Sequence, residues 1–304
     1  MRRTSAVRVV WAVFAAATIA LIVTYSRLPP EQLYNVTGSG FVHGGLSRAL
    51  VYLNFPVGLA AIAMLVVLAD RMSVERRLAA IAAVVLWLPV FSSRVLSQAH
   101  LDATWRNAIP AAGVAIAAFV TLTTPALRPS VVRGDVFRVV FGAALVLIAL
   151  PWTAAELGFG FTGVPVLGQV FQTQELRVQP GPYFAHPAVH YGDHHGLEGT
   201  LLVITALLLS RMLGAIRSRR LHVASGFVCA LLIAYGLGNI ANDFWLEQVV
   251  KRHWTRHLLP DVLEPRLNYG WLAIVIGAVV LWLVAFRPRP ADSVPGRGDR
   301  VTSL

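Results

Sequence analysis

The chain of 304 residues is 56% hydrophobic and only 13% charged, with a formal net charge of +11 and a mean hydropathy of +0.64. This apolar share lies well above that of soluble globular domains and excludes that class. The only cysteine, Cys229, lies inside an apolar run, which excludes a disulfide framework and a thiolate metal site.

Long uncharged runs follow one another along the chain. A helix needs ~20 mostly apolar residues to cross ~30 Å of hydrocarbon, and a backbone in lipid must satisfy its own hydrogen bonds. The runs therefore predict an all-α polytopic membrane protein with about eight transmembrane helices, in a single domain that covers residues 1–287. In chain order, the predicted spans are residues 9–26, 49–69, 78–94, 107–127, 139–156, 191–210, 223–242 and 267–286.

The two ends of the chain carry different signals. The first span follows the basic sequence MRR, as a secretory signal would, but it ends in YSRLPP and no small-residue cleavage site follows. We expect it to be an uncleaved signal anchor. Residues 288–304 are rich in proline, glycine and charge, which predicts a disordered cytoplasmic tail.

Basic residues are distributed unevenly between the two sides of these spans. The segments on the N-terminal side hold 17 of the 26 Lys and Arg residues but 5 of the 15 acids. The positive-inside rule assigns that side, and with it both termini, to the cytoplasm. Orientation and anionic lipid explain the positive charge, so we expect the lipid bilayer as a partner and no nucleic acid. Arginine supplies 25 of the 26 basic residues, typical of a GC-rich bacterial genome, so we expect a bacterial plasma membrane.

The sixth span begins within the most unusual stretch of the chain, HPAVHYGDHHGLEG at residues 186–199. Only 12 uncharged residues separate Glu198 from Arg211, roughly 18 Å of helix, which is too short to cross the hydrocarbon. A full span therefore has to start near Tyr191. This start places His194, His195 and Glu198 at outer-leaflet depth, where ionisable groups indicate a functional site.

Helical spacing brings the ionisable groups of this stretch towards one face. His190, His194, Glu198 and His195 fall at roughly 0°, 40°, 80° and 140° around a helix. Imidazoles and a carboxylate on one face are ligands for zinc or iron. We therefore expect a Zn or Fe site whose ligands come from a set of four histidines. We expect Asp193 to orient one of the ligand rings through its second nitrogen. The four predicted metal ligands are His186, His190, His194 and His195. Metal-free acid–base chemistry, headgroup binding and a structural network are the alternatives.

The run His186-x3-His190-x3-His194-His195 resembles the histidine boxes of membrane desaturases and hydroxylases over ten residues. Those enzymes carry several boxes at separated places and bind iron on the cytoplasmic face. This chain has one box, and the charge distribution predicts that it faces outward. The resemblance therefore covers the box alone, and the activity of those enzymes is not transferred to this chain.

Other polar side chains, which are energetically unfavourable in a membrane, lie at the same predicted membrane level. Together they indicate one exterior-facing polar chamber. Glu198, Glu156 and Asp193 are the candidate catalytic residues, with Glu198 expected to contact His194 or His195. A phosphate headgroup on a substrate would be bound by arginines, whose guanidinium groups form charge-assisted pairs. The candidate substrate-binding residues are Arg48, Arg94, Arg106 and Asn54. For Arg48 and Arg94, a buried ion pair with Glu156 or Asp102 is the structural alternative.

These features favour a multi-pass membrane enzyme that is metal-dependent and acts on a membrane-embedded or lipid-linked substrate. Two other classes stay open. One is a transporter or metal-ion permease with a polar outer vestibule, and the other is a non-catalytic assembly or sensor protein whose histidines titrate. The residue types do not distinguish hydrolysis, transfer and oxidation, and they leave the oligomeric state open.

Overall fold

A computed structural model describes residues 5–125, 127, 134–161, 163–171, 177–178, 185–186, 188–264 and 267–287. The tail predicted to be disordered lies outside the described residues. Within them the chain forms eleven α-helices: α1 (Ala6–Arg27), α2 (Ser47–Tyr52), α3 (Gly58–Leu68), α4 (Val74–Trp87), α5 (Ala108–Thr123), α6 (Asp135–Ile148), α7 (Leu150–Glu156), α8 (Leu167–Phe171), α9 (His195–Ser210), α10 (Arg219–Phe244) and α11 (Tyr269–Leu281). Two short antiparallel strands, β1 (Arg177–Val178) and β2 (Ala185–His186), pair with each other.

Six continuous helical segments are long and apolar enough to cross a membrane, which supports the prediction of a helical membrane protein. They are Ala6–Arg27, Phe41–Arg71, Trp105–Thr123, His195–Ala215, Arg219–Val250 and Tyr269–Phe286. A seventh span results if α6 and α7, which meet at a bend of 55°, cross as one unit. The third predicted span is not among them, because α4 and the 3₁₀ turn Leu88–Phe91 that continues it carry three charged residues, Glu75, Arg76 and Arg77, near their start. The sidedness of the termini stays a prediction.

Several of these helices begin where the local sequence supplies a side-chain cap. The Ser73 hydroxyl accepts a hydrogen bond from the Arg76 backbone N–H at the start of α4. The Ser218 hydroxyl does the same for Leu221 at the start of α10. Such caps satisfy backbone donors that the first turn of a helix leaves without an intrahelical partner.

Helices α9 and α10 pack closely against each other at a pair of glycines. A Cβ atom placed on Gly199 would lie 2.4 Å from the Gly236 carbonyl oxygen, and one on Gly236 would lie 2.5 Å from the Gly199 carbonyl oxygen. Small residues allow such close approach of helices in a membrane. The contact sets the spacing between the N-terminal end of α9 and the C-terminal half of α10.

The segment before α9 is buried but not helical. Gly192 has φ +98°, and His194 is extended at φ −124° and ψ 137° as the residue that precedes the helix. The helix therefore begins at His195 and not near Tyr191, as the sequence predicted. The shared helical face proposed for His190 and His194 is consequently wrong, since neither residue belongs to the helix.

Candidate functional site

Charged and polar side chains are buried where the segment before α9 meets the ends of α1, α7 and α10. Buried charged groups in proteins are normally paired or bound to a metal, so the partners of each one are informative. The buried ionisable residues of this region are Arg48, Glu156, His190, Asp193, His194, Glu198, Asp243, Glu247 and Lys251.

His190 and His194 stack on each other in front of the helix. Their ring centroids are 4.3 Å apart with an interplanar angle of 27°, and the Tyr34 ring stacks on His190 at 5.3 Å. The Nε2 atom of His194 lies 2.9 Å from the His190 carbonyl oxygen. The Nδ1 atom of His190 lies 2.9 Å from the Tyr191 carbonyl oxygen. The two rings are thus held by the backbone of a turn.

Glu247 completes a group that could bind a metal ion. Its side chain comes from the π-helical turn Trp245–Val250 that continues α10. One potential ligand atom from each of His190, His194 and Glu247 lies within 4.8 Å of the other two, and all three residues are buried.

The two oxygens of Glu247 have different surroundings. Oε1 accepts a hydrogen bond of 2.7 Å from the Lys251 ammonium, and Lys251 also donates to the Ala188 carbonyl oxygen at 3.4 Å. Oε2 is buried and has no hydrogen-bond partner among the described residues. An unsatisfied buried oxygen is costly, so Oε2 is an available ligand atom.

Asp243 lies behind His194, one helical turn before Glu247. Its Oδ2 atom accepts a hydrogen bond of 2.6 Å from the Gly196 backbone N–H and lies 3.5 Å from Nδ1 of His194. Burial lowers the pKa of His194, but the Asp243 carboxylate more than compensates and raises the pKa to about 9. A carboxylate on the second nitrogen of a histidine is the usual support for a metal ligand. Asp243, not Asp193 as predicted, lies next to this ring.

Asp193 instead forms a buried ion pair with Arg48. The guanidinium and the carboxylate are 2.5 Å apart, with side-chain exposures of 5% and 2%. The backbone N–H of Asp193 donates to the Tyr25 hydroxyl at 3.3 Å, and Arg48 lies 5.8 Å from the centre of that ring. An ion pair for Arg48 was the structural alternative considered from the sequence, with a different acid as its partner.

His195 and Glu198 form a separate pair in the first turn of α9. The Nδ1 atom of His195 lies 3.4 Å from Oε2 of Glu198, which confirms the predicted contact between Glu198 and a neighbouring histidine. Among the described residues, the potential metal group does not include His195. The His195 ring contacts Glu198 because His195 is the first residue of α9, whereas His194 precedes the helix. His186 belongs to β2, and its side chain lies outside the described residues.

Glu156 is the last residue of α7 and is 2% exposed. Neither of its carboxylate oxygens has a hydrogen-bond partner among the described residues. Its backbone carbonyl accepts a hydrogen bond from the Thr24 hydroxyl at 2.5 Å. The catalytic assignment of Glu156 and Glu198 stays a prediction.

The remaining predicted substrate-binding residues lie apart from this group. Arg94 is exposed in the loop after α4, away from the buried groups, and its role in substrate binding stays a prediction. Arg106 lies 5.2 Å from the ring centre of its neighbour Trp105. The Asn54 amide, in the orientation that satisfies both ends, bonds to the Leu50 carbonyl and to Asn107. Asn54 therefore connects two helices.

Sequence reasoning missed Glu247 and Lys251. The seventh span was predicted to end at residue 242, whereas the helical segment continues to Val250. The sequence did contain an indication of this pair, because Lys251 is the only lysine in the chain and stands four residues after Glu247. This spacing favours an ion pair on a helix.

No protein-family model, curated protein or solved structure matches the chain. A function therefore has to be inferred from the chemistry of the site. Two imidazoles and one carboxylate form the ligand set of catalytic zinc sites and of non-haem iron oxygenases. The described residues therefore contain a buried His/Glu group that could bind a metal ion.

Proposed function

We propose that this chain is a multi-pass membrane enzyme with a metal ion bound by His190, His194 and Glu247. The observation that carries the proposal is the buried Glu247 carboxylate, one oxygen of which lies within 4.8 Å of a nitrogen of each of two stacked imidazoles, while its Oε2 atom has no hydrogen-bond partner among the described residues. A divalent cation bound there would give this oxygen its missing interaction.

The ligand set favours zinc or iron(II) and a catalytic use. Structural zinc sites have four protein ligands, whereas three protein ligands leave a position for water or substrate. The three ligand atoms lie within 4.8 Å of one another, and tetrahedral zinc requires separations of about 3.4 Å. Metal binding therefore has to draw the ligand atoms together by up to about 1.4 Å, and Nε2 of His194 has to exchange the His190 carbonyl oxygen for the metal. The metal would supply Lewis-acid activation of a water or a substrate oxygen.

A metal-free charge network is the principal competing explanation. In that arrangement His194 carries a proton opposite Asp243, and Lys251 neutralises Glu247. The raised pKa of His194 favours this state when no metal is present. It leaves Oε2 of Glu247 without a hydrogen-bond partner among the described residues, which is why we favour the metal centre.

We further propose that the site faces the exterior of a bacterial plasma membrane and acts on a membrane-embedded substrate. The charge distribution supports the orientation, and the position of the site at the ends of apolar helices supports the substrate class. The exposed Arg94 and the paired Arg48 give little support for binding of a phosphate headgroup.

Metal analysis of the protein purified without chelator tests this proposal. We expect about one zinc or iron per chain, with retention reduced at least tenfold in His194→Ala and His190→Ala. His257→Ala is the matched control, because His257 is exposed, and it should retain the wild-type metal content. Metal-free wild-type protein that also fails to bind added Zn²⁺ or Fe²⁺ would refute the metal centre. Equal metal content in wild-type protein and in both site variants would refute the ligand assignment.

A further inference from the structure

A groove of about 350 Å³ runs between α6 and α9, near the C-terminal end of α9. Each helix lines it with residues three, four and seven positions apart, which lie on one face of a helix. The α9 face consists of Ile204, Leu207, Leu208 and Arg211. On α6, Gly142 leaves space in the groove, because a Cβ atom there would meet one atom, a Leu207 methyl carbon at 4.0 Å. Val146 on the same α6 face is 47% exposed, so the groove is open towards lipid.

Two arginines and one acid lie together at one end of this groove. The Asp135 carboxylate lies 3.1 Å from the Arg211 guanidinium and 3.6 Å from that of Arg138. Arg138 also donates to the Ser210 hydroxyl at 3.0 Å. The Arg138 and Arg211 side chains are 21% and 33% exposed, so a ligand in the groove can reach them. The described charged side chains that line the groove sum to +1.

We propose that this groove binds an anionic phospholipid, with its phosphate at Arg138 and Arg211 and the upper part of one acyl chain along the apolar faces of α6 and α9. Guanidinium groups form charge-assisted hydrogen bonds with phosphate oxygens, often two at a time. The single negative charge of a phosphodiester balances the charge of the groove, whereas a zwitterionic headgroup brings its own cation close to the arginines. The charge distribution predicts that this end of α9 faces the cytoplasm, where basic pockets between helices bind anionic headgroups.

This inference goes beyond the proposed function and does not depend on it. Helix α9 has 16 residues, about 24 Å of helix, and the two arginines lie at its C-terminal end, whereas His194 precedes its start. None of the described residues that line the groove is a candidate metal ligand. The two proposals can therefore fail separately. Metal content and lipid binding are measured on the same preparation, before and after treatment with chelator.

Photolabelling of the purified protein in phosphatidylcholine nanodiscs tests the site. The probe is phosphatidylglycerol with a diazirine near the carboxyl end of one acyl chain, and the comparison probe is phosphatidylcholine with the same chains. We expect phosphatidylglycerol to label peptides of α6 and α9 about tenfold more than phosphatidylcholine, the typical effect of one charge-assisted hydrogen bond. Millimolar inorganic phosphate should not displace the probe, because it lacks the acyl chain.

Charge variants test the role of the arginines. Arg138→Gln and Arg211→Gln should each reduce the preference for phosphatidylglycerol about fivefold. Arg220→Gln, at an exposed arginine near the start of α10, is the matched control and should keep the preference. Asp135→Asn should increase the preference, because it removes the carboxylate that competes with phosphate for both guanidinium groups. A preference that is unchanged in both arginine variants, or reduced in Asp135→Asn, would show that these charges only join α6 to α9 and would overturn the proposal.

A second pair of variants tests the groove itself. Gly142→Phe should fill the groove and reduce labelling of α6 and α9 by phosphatidylglycerol, whereas Ala144→Phe, exposed on α6 but outside the groove lining, should leave it unchanged. Equal labelling by the two probes in the wild type overturns the proposal, as does unchanged labelling of Gly142→Phe. Displacement by inorganic phosphate as effective as that by unlabelled phosphatidylglycerol would overturn the lipid assignment. So would native mass spectrometry that shows a second copy of the chain bound in place of lipid.

Discussion

The carboxylate of Asp243 lies 3.5 Å from Nδ1 of His194 while it accepts a 2.6 Å hydrogen bond from the first turn of α9. One acid from α10 therefore holds both the ring of the candidate ligand and the start of the helix that follows it. A helix N-terminus favours negative charge, so the helix and the histidine both stabilise the ionised acid. The close packing of α9 and α10 fixes the position of the Asp243 carboxylate relative to the start of α9.

The first prediction concerns this support. Asp243→Asn should weaken metal binding about 10–100-fold, because the amide still accepts from the Gly196 N–H but no longer increases the basicity of His194. Competition with a chelating dye measures the affinity. Glu75→Gln, at a fully exposed acid near the start of α4, is the control and should bind metal as the wild type does. Unchanged affinity in Asp243→Asn would exclude a supporting role for Asp243.

The second prediction concerns the buried ion pair of Arg48 and Asp193. Either Arg48→Met or Asp193→Asn leaves one buried charge without its partner and should cost about 3–5 kcal/mol of stability. The double variant should recover much of that loss, since it removes both charges. Thermal unfolding in detergent, analysed as a double-mutant cycle, measures the coupling. Additive losses would show that the two side chains do not interact.

Lys251 offers a third prediction, because it occupies one oxygen of a proposed metal ligand. Lys251→Met should destabilise the metal-free protein by about 3–5 kcal/mol, since Glu247 then lacks its buried counter-charge. The same change removes a positive charge from the neighbourhood of the metal and should tighten metal binding. The increase in melting temperature on adding metal should therefore be larger than in the wild type. A smaller increase would contradict binding at Glu247.

The glycine contact between α9 and α10 is tested by adding a methyl group. Gly199→Ala and Gly236→Ala each bring a Cβ within 2.4 or 2.5 Å of a backbone oxygen on the facing helix. We expect losses of about 1–3 kcal/mol through forced separation of the helices, together with reduced metal content. Gly142→Ala is the matched control, since its nearest neighbour would lie at 4.0 Å. Equal melting temperatures for all three variants would contradict this packing.

Orientation is tested by cysteine labelling in a Cys229→Ser background. His257→Cys, in the exposed loop that follows the helical segment carrying Glu247, should react with an impermeant maleimide in intact cells. Glu75→Cys should react only after the cells are permeabilised, because the positive-inside rule assigns its loop to the cytoplasm. The reverse pattern would place the site on the cytoplasmic side and contradict the proposed orientation.

Much of the site could be anticipated from residue types, but its geometry could not. The stretch around His190 and His194 was recognised from its histidines, and the contact of Glu198 with His195 follows from their positions in one helical turn. The third candidate ligand, Glu247, is more than 50 residues away in the sequence. Helical periodicity relates residues within one element and carries no information about which helix end faces another.

The amino-acid sequence by itself determined the membrane-type helical architecture, because hydrocarbon-length apolar runs have no other stable backbone arrangement in lipid. It also determined that ionisable groups concentrate in the segment before α9. Only the tertiary structure decided the partners of these groups. Gly192 interrupts the expected helix, and the glycine contact between α9 and α10 brings Glu247 to His190 and His194. The physical reason is that ion pairs and ligand sets depend on distances between separate helices, and side-chain packing sets those distances.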